Sequence, residues 1–130
     1  MPEARQTIIA AGAPDAIGPY SHAVRSGGLL FCSGQIPADP ATGELVAGGV
    51  AAQTVQCLEN LAVVCRAGGA QLADAVRMSI YVTDMATFAD VNAAYAAFFP
   101  DAPPARSTIG VASLPRGADV EIDAIVAIQG

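Results

Sequence analysis

The stretch VEIDAIVAI, residues 120–128, shows the alternation of side chains that is typical of a strand with one buried face. One face is apolar throughout and carries Val120, Ile122, Ala124, Val126 and Ile128. The opposite face begins with two acidic residues, Glu121 and Asp123, and becomes apolar again at Ile125 and Ala127. We therefore expect a strand that packs on a hydrophobic core and carries two carboxyl groups on its other face.

Two further segments have the character of strands. In VRMSIYV, residues 76–82, apolar side chains alternate with Arg77, Ser79 and Tyr81, which suits a sheet with one covered face. GLLFCSG, residues 28–34, is a short apolar run between glycines. The segment 38–49 has the proline, glycine and aspartate content of a loop.

Two helices are expected, over residues 50–67 and 88–99. The first has a buried stripe at helical spacing, formed by Leu58, Leu61, Ala62 and Cys65, and Gly68-Gly69 provides its stop. The second has a stripe of Phe88, Val91, Tyr95 and Phe98, and Thr87 with Asp90 resembles a capping box at its start. The resulting order β-β-α-β-α-β-β predicts a single α+β domain over residues 1–130, with two helices on one side of a mixed sheet.

The composition restricts the possible partners. The net charge is −6, and the six basic residues are all arginine, which argues against binding to nucleic acid or to anionic membranes. The chain is 53% hydrophobic, which favours an oligomer in which partner subunits cover part of the surface. Since the N-terminus lacks the pattern of a signal peptide and no apolar stretch approaches membrane-spanning length, we expect a soluble, cytoplasmic protein.

Several kinds of chemistry are disfavoured by the residues present. Cys32, Cys57 and Cys65 form no CxxC pair and, with the single histidine, no zinc-binding spacing, so we expect reduced and mostly buried thiols and no metal. Without lysine there is no lysine Schiff base, and neither a P-loop nor a GxGxxG motif is present. His22, the sole histidine, is expected to be a surface or packed residue rather than a catalytic one.

Arg106 and Glu121 are the better candidates for a site. Pro103 and Pro104 restrict the backbone that leads to Arg106, whose guanidinium can bind a carboxylate through two parallel hydrogen bonds. Partial burial and the neighbouring Asp123 would both raise the pKa of Glu121, which would allow it to act as a general acid or base. The alternative is an ordinary Arg–Glu ion pair on a solvated sheet face.

Four segments resemble the RidA/YjgF family of reactive imine deaminases, some members of which are labelled endoribonuclease L-PSP. The segments lie in order along nearly the whole chain and read IGPYSHAV (17–24), CSGQIP (32–37), TDMATFADVNAAYAAFF (83–99) and PARSTIGVASLP with VEIDAI (104–125). The resemblance implies a chorismate-mutase-like fold, a homotrimer with clefts between subunits, and hydrolysis of 2-iminopropanoate or 2-iminobutanoate to 2-keto acids and ammonia. No cofactor is implied.

The resemblance also assigns roles to individual residues. It implies that Arg106 holds the substrate carboxylate and that Glu121 positions or activates the attacking water. Tyr20, Ser33, Gly34 and Asn92 match the family's other cleft positions. Thr108 stands where the family often has cysteine; its backbone N–H remains available to the carboxylate, whereas any role of a thiol is lost.

Three alternatives remain open from the sequence. One is an endoribonuclease or translation inhibitor, against which the acidic charge weighs. A second is a non-catalytic member that binds small carboxylates or acts as a chaperone-like scaffold. A third is an enzyme for another substrate, such as an aminoacrylate-type intermediate.

Overall fold

The computed structural model describes residues 4–129 and contains six strands and two α-helices. In chain order these are β1 (Gln6–Ile8), β2 (Ala23–Ser26), β3 (Leu29–Gln35), α1 (Gly49–Ala67), β4 (Ala75–Val82), α2 (Phe88–Ala96), β5 (Ala105–Gly110) and β6 (Val120–Ala127). The α+β class and the two expected helices are confirmed. The expected order is wrong at the N-terminal side, where three strands precede α1 instead of two, because β1 is only three residues long.

All six strands form one mixed sheet in the order β1-β2-β3-β6-β4-β5. The only parallel pair among them is β4 with β5, and α2 makes the crossover between these two strands. The strand over residues 120–127 lies inside the sheet, paired antiparallel with β3 on one side and β4 on the other. The backbone hydrogen bonds of β6 are therefore satisfied along both of its edges.

Both helices cover the same face of the sheet. Val120, Ile122, Ala124 and Val126 of β6 are buried in one core with Leu58, Leu61 and Cys65 of α1. The stripe expected on α1 is therefore confirmed, with Ala62 partly buried at its border. Within the described part of the chain, no helix covers the opposite face of the sheet, which carries Glu121 and Asp123.

The start of α2 differs from the expected capping box. The side chain of Asp84 accepts the cap hydrogen bond from Ala86 N–H at 2.9 Å, in the short turn before the helix. Thr87 instead donates its hydroxyl to the Asp84 carbonyl at 2.6 Å and makes no side-chain cap. A 3₁₀ turn over Met85–Thr87 places Asp84 where the sequence pattern had suggested Thr87.

Candidate active site

Arg106 lies on the edge strand β5 and packs against α2. It is in register with Met78, whose side chain is buried beneath the helices, so Arg106 faces the helix-covered side. Its Nη2 donates to Asn92 Oδ1 at 2.6 Å. Its Cζ lies 4.8 Å from the ring centroid of Tyr95 and 5.7 Å from that of Phe88. The guanidinium is therefore held by one amide and two aromatic rings.

The three residues that hold Arg106 share one stripe of α2. Phe88, Asn92 and Tyr95 are spaced by four and then three residues, which places them on the same helix face. Each stacking contact between a guanidinium and a ring contributes about 0.5–2 kcal/mol. Tyr95 was expected in the buried stripe, and it is 6% exposed. Its contact with Arg106 was not anticipated, although its place one turn after Asn92 is the signal that could have indicated it.

Two buried hydroxyl groups lie on this side of the sheet without a partner. Within residues 4–129, neither Tyr95 Oη nor Thr108 Oγ1 has a hydrogen-bond partner. Thr108 is in register with Ile80 and so faces the same side as Arg106. Burial raises the pKa of Tyr95, while the charge of Arg106 opposes that shift. We call Arg106, Asn92, Tyr95 and Thr108 the arginine group.

Glu121 lies on the other face of the sheet, beside an irregularity in β3. It is in register with Tyr81 of β4, on the face that the helices leave open. The pairing of β3 with β6 shifts register between Cys32 and Gln35, and Gly34 lies within this irregularity. A Cβ atom at Gly34 would collide with the Glu121 carboxylate, so the carboxylate rests directly on the Gly34 backbone.

The environment of Glu121 favours its protonated form. Burial raises its pKa first, and the negative charge of Asp123 raises it further. Tyr81 donates its hydroxyl to Asp123 Oδ2 at 2.9 Å, and this bond raises the pKa of Tyr81. A carboxyl group whose pKa is displaced toward neutrality is suited to proton transfer, as the sequence had suggested.

A cavity of about 320 Å³ opens beside Glu121. It is lined by Ile17, Tyr20, Ser33, Gly34, Ile36, Pro115 and Glu121. Ser33 donates its hydroxyl to the Ser21 carbonyl at 2.7 Å, and Tyr20 Oη accepts the Ile17 N–H at 3.3 Å. Four of the expected site residues, Tyr20, Ser33, Gly34 and Glu121, therefore line one cavity, which we call the glutamate cleft.

Arg106 and Glu121, which the sequence analysis named together as site candidates, do not meet within one chain. Arg106 is in register with Met78 and Glu121 with Tyr81, an odd offset along β4, so the two side chains leave opposite faces. Their strands are separated by β4, which places the two backbones about 10 Å apart across the sheet and about 10 Å along it. A simple ion pair within the chain is excluded for the same reason.

His22 and the cysteines are structural. The ring is 3% exposed; Nδ1 accepts the Ala10 N–H at 2.9 Å and Nε2 donates to the Pro14 carbonyl at 2.8 Å. The expected packed histidine is confirmed, and it ties the segment before β2 to the sheet. Cys32, Cys57 and Cys65 are free and buried, as expected. No helix within residues 4–129 is long and apolar enough to cross a membrane.

Comparisons with known proteins agree with this architecture. The family described as endoribonuclease L-PSP matches residues 10–128. Protein DfrA of Myxococcus xanthus is 52% identical over 124 residues, which are 94% of this chain and 95% of that protein. The mouse protein named 2-iminobutanoate/2-iminopropanoate deaminase is 43% identical over 126 residues, which are 97% of this chain and 93% of that protein.

Solved structures share the fold over nearly the whole chain. RidA from a Psychrobacter species superposes with a TM-score of 0.91 at 41% identity and covers 95% of this chain and 99% of its own. The YjgF gene product of E. coli superposes with a TM-score of 0.90 at 42% identity, with the same two coverages.

Proposed function

The chain belongs to the endoribonuclease L-PSP family, which is also the RidA/YjgF family, and we propose that it hydrolyses reactive 2-imino acids to 2-keto acids and ammonia. The name of the mouse relative, 2-iminobutanoate/2-iminopropanoate deaminase, supports this reaction for a chain that is 43% identical. The chain's own support is a partly buried arginine, oriented by Asn92, and a carboxyl group with a raised pKa.

The reaction needs positioning and one proton acceptor. Water adds to the carbon of the protonated C=N bond, and Glu121 takes the proton that the water loses. Glu121 then gives this proton to the nitrogen of the tetrahedral aminoalcohol. The C–N bond breaks, ammonia leaves with the bonding electrons, and the carbonyl forms as the hydroxyl passes its proton to Glu121. Arg106 binds the carboxylate through two hydrogen bonds, and Tyr20, Ser33, Gly34, Asn92 and Thr108 border the substrate. General base catalysis contributes about 10²–10⁴-fold.

One observation carries a further part of the proposal: the two halves of the site leave opposite faces of one sheet. A single chain cannot bring Arg106 to Glu121, whereas a neighbouring copy can supply the missing half. Apolar side chains on the open face, such as Phe31 (43% exposed) and Ile109 (49% exposed), give such a copy a surface to cover. We therefore propose a homotrimer in which Arg106 of one copy meets Glu121 of the next.

Mixing two inactive variants tests the reaction and the shared site together. Arg106→Ala and Glu121→Gln each remove one half, and each alone should lose 2-iminopropanoate hydrolysis. After the two variants are unfolded, mixed in equal amounts and refolded, about a quarter of the sites should contain both intact residues. An amino-acid oxidase generates the imine in situ, and its disappearance is followed.

The controls separate the possible failures. Each variant refolded alone must stay inactive and keep the melting temperature of the wild type within a few degrees. If wild type does not accelerate hydrolysis beyond Arg106→Ala, the deaminase proposal fails. If wild type is active but the mixture regains nothing while mixed oligomers are present, the shared site is wrong.

Ribonuclease activity is less compatible with this chain. The net charge is −6, and both ring nitrogens of His22 are engaged by backbone groups. His22 is thus unavailable as the general acid or base of RNA cleavage. A non-catalytic carboxylate-binding protein would bind a 2-keto acid through Arg106 yet leave imine hydrolysis at the uncatalysed rate, which the same assay measures.

A further inference from the structure

A second cavity, of about 310 Å³, adjoins the glutamate cleft. The two cavities share Ile17, Tyr20, Gly34 and Ile36 in their walls, so each opens onto the same residues beside Glu121. Glu121 is not in the wall of the second cavity, which is lined instead by the turn that contains Thr42 and Gly43 and by the exposed Arg116. We call this second cavity the side chamber.

Arg116 is held by a hydrogen bond to the turn that lines the side chamber. Its Nη1 donates to the Gly43 carbonyl at 2.8 Å. The turn that carries Gly43 is itself held, because the Asp39 carbonyl accepts from Gly43 N–H at 2.7 Å and from Thr42 N–H at 3.3 Å. Within residues 4–129 this is the one hydrogen bond of the Arg116 side chain, so donors of its five N–H groups remain for a ligand.

The backbone at Arg116 supports a functional reading. Its φ of 60° and ψ of 16° lie in the left-handed region, which costs free energy for a residue other than glycine. Such conformations cluster at functional sites. The preceding Pro115 lines the glutamate cleft, so one turn contributes to both cavities.

The volume of the side chamber exceeds what the smallest imino acids need. About 310 Å³ corresponds to roughly ten water molecules at about 30 Å³ each. The methyl group of 2-iminopropanoate would occupy only a small part of it. A side chain that extends from the C=N carbon past Gly34 would instead reach toward Arg116.

We propose that the side chamber binds the substrate's side chain and that Arg116 selects side chains ending in a carbonyl oxygen. This inference rests on the proposed deaminase function. The substrates would be 2-imino acids whose side chain ends in a carboxylate or a carboxamide. Iminosuccinate is an example with a carboxylate, and 2-iminosuccinamate is an example with a carboxamide. Asp15 also lines the chamber; its charge opposes a carboxylate and can accept a hydrogen bond from an amide. The carboxamide is therefore the better fit.

The test compares substrates within one enzyme. Amino-acid oxidases generate the imines of alanine, aspartate and asparagine, and kcat/KM is measured for each. Wild type should favour the asparagine-derived imine over 2-iminopropanoate. Arg116→Gly should lower that preference by about tenfold or more, the effect of losing a hydrogen bond to a charged group, and leave 2-iminopropanoate hydrolysis unchanged.

The choice of variants guards against a misfolded protein. Glycine adopts the left-handed conformation freely, so Arg116→Gly should not lower the melting temperature. Arg116→Lys should retain part of the preference for the asparagine-derived imine over 2-iminopropanoate, since an ammonium group can still donate to the carbonyl oxygen. Arg66→Gln, which removes an exposed arginine at the end of α1, is the matched control and should change nothing.

The outcomes distinguish this inference from the proposed function. If Arg116→Gly lowers kcat/KM equally for all three imines, or for none, the side chamber does not select side chains. If wild type hydrolyses no imine, the deaminase proposal fails, and calorimetric binding of 2-oxosuccinamate and pyruvate decides. The inference then requires Arg116→Gly to weaken 2-oxosuccinamate binding about tenfold and to spare pyruvate; equal effects overturn it.

Discussion

The two faces of the sheet differ in how they hold the candidate site residues Arg106 and Glu121. On the helix-covered side, Arg106 is clamped by Asn92 and Tyr95 of its own chain. On the open side, Glu121 rests on a glycine and faces a cavity. A guanidinium fixed by its neighbours and a carboxyl group beside a cavity thus lie on opposite surfaces of one fold. The difference shows that packing within the chain fixes the position of the Arg106 side chain, whereas the Glu121 carboxyl group contacts one backbone segment and borders an open cavity.

Removing the Glu121 carboxylate, on the open face of the sheet, should have the largest effect on activity. Glu121→Gln keeps the size and polarity of the side chain but removes the proton acceptor. We expect kcat to fall by about 10²–10⁴-fold while the affinity for a 2-keto acid product changes little, because Arg106 is intact. Glu59→Gln, at an exposed position of α1, is the control. An equal loss of product affinity would show that Glu121 serves binding instead.

Displacing the same carboxylate without removing it should have the next largest effect. In Gly34→Ala, the new methyl group occupies the position of the Glu121 carboxylate and forces it away. A shift of about 1 Å at a reacting group can cost about 10²-fold in rate, so we expect a loss of that order in kcat/KM. The double variant Gly34→Ala with Glu121→Gln should be no worse than Glu121→Gln alone. If the losses in kcat/KM from the two substitutions add up in the double variant, Gly34→Ala does not act through the Glu121 carboxylate.

On the helix-covered side, Tyr95 separates the effect of a ring from that of a hydroxyl. Tyr95→Leu removes the face on which the guanidinium lies and should raise the Kd of a 2-keto acid by about tenfold, from a lost contact of about 1–2 kcal/mol. Tyr95→Phe should keep that affinity and stabilise the fold by about 1 kcal/mol, because it removes a buried hydroxyl that lacks a protein partner. Isothermal titration and thermal melting measure these two quantities.

Phe99→Leu is the control for Tyr95→Leu. The Phe99 ring packs on that of Tyr95 with centroids 4.9 Å apart, but it is not among the rings over Arg106. If Phe99→Leu weakens the ligand as much as Tyr95→Leu does, general loosening of α2 explains the result, and the ring has no specific role.

The two sides were also unequally predictable from the sequence. The alternation in residues 120–127 and the stripe of α1 depend on local spacing alone, so the buried faces and the position of Glu121 could be predicted. The face on which Arg106 lies depends on the register of β5 with β4, which no local pattern encodes. For that reason the sequence suggested a pair that the sheet separates. The left-handed backbone of Arg116 could not be predicted from the sequence either, because arginine is not typical of that conformation.

The smallest expected effect concerns the charge beside Glu121. Asp123→Asn removes a negative charge that raises the pKa of Glu121, so this pKa should fall, although burial, the larger cause, still holds it above the ordinary value. Since the ionised carboxylate accepts the proton from water, activity rises with pH through this pKa. The acidic limb of the pH–kcat profile should therefore move to lower pH in Asp123→Asn, with kcat unchanged on the plateau.

Tyr81→Phe provides the control for this shift, because it removes the hydrogen bond to Asp123 and leaves the charge in place. Its acidic limb should remain close to that of the wild type. Stability gives an independent check of the sign. A carboxyl group whose pKa is raised in the folded state favours folding while protonated, and that contribution is lost as the pH rises through the folded pKa. Asp123→Asn should lessen this loss, whereas a limb that moves to higher pH would contradict the assigned role of Asp123.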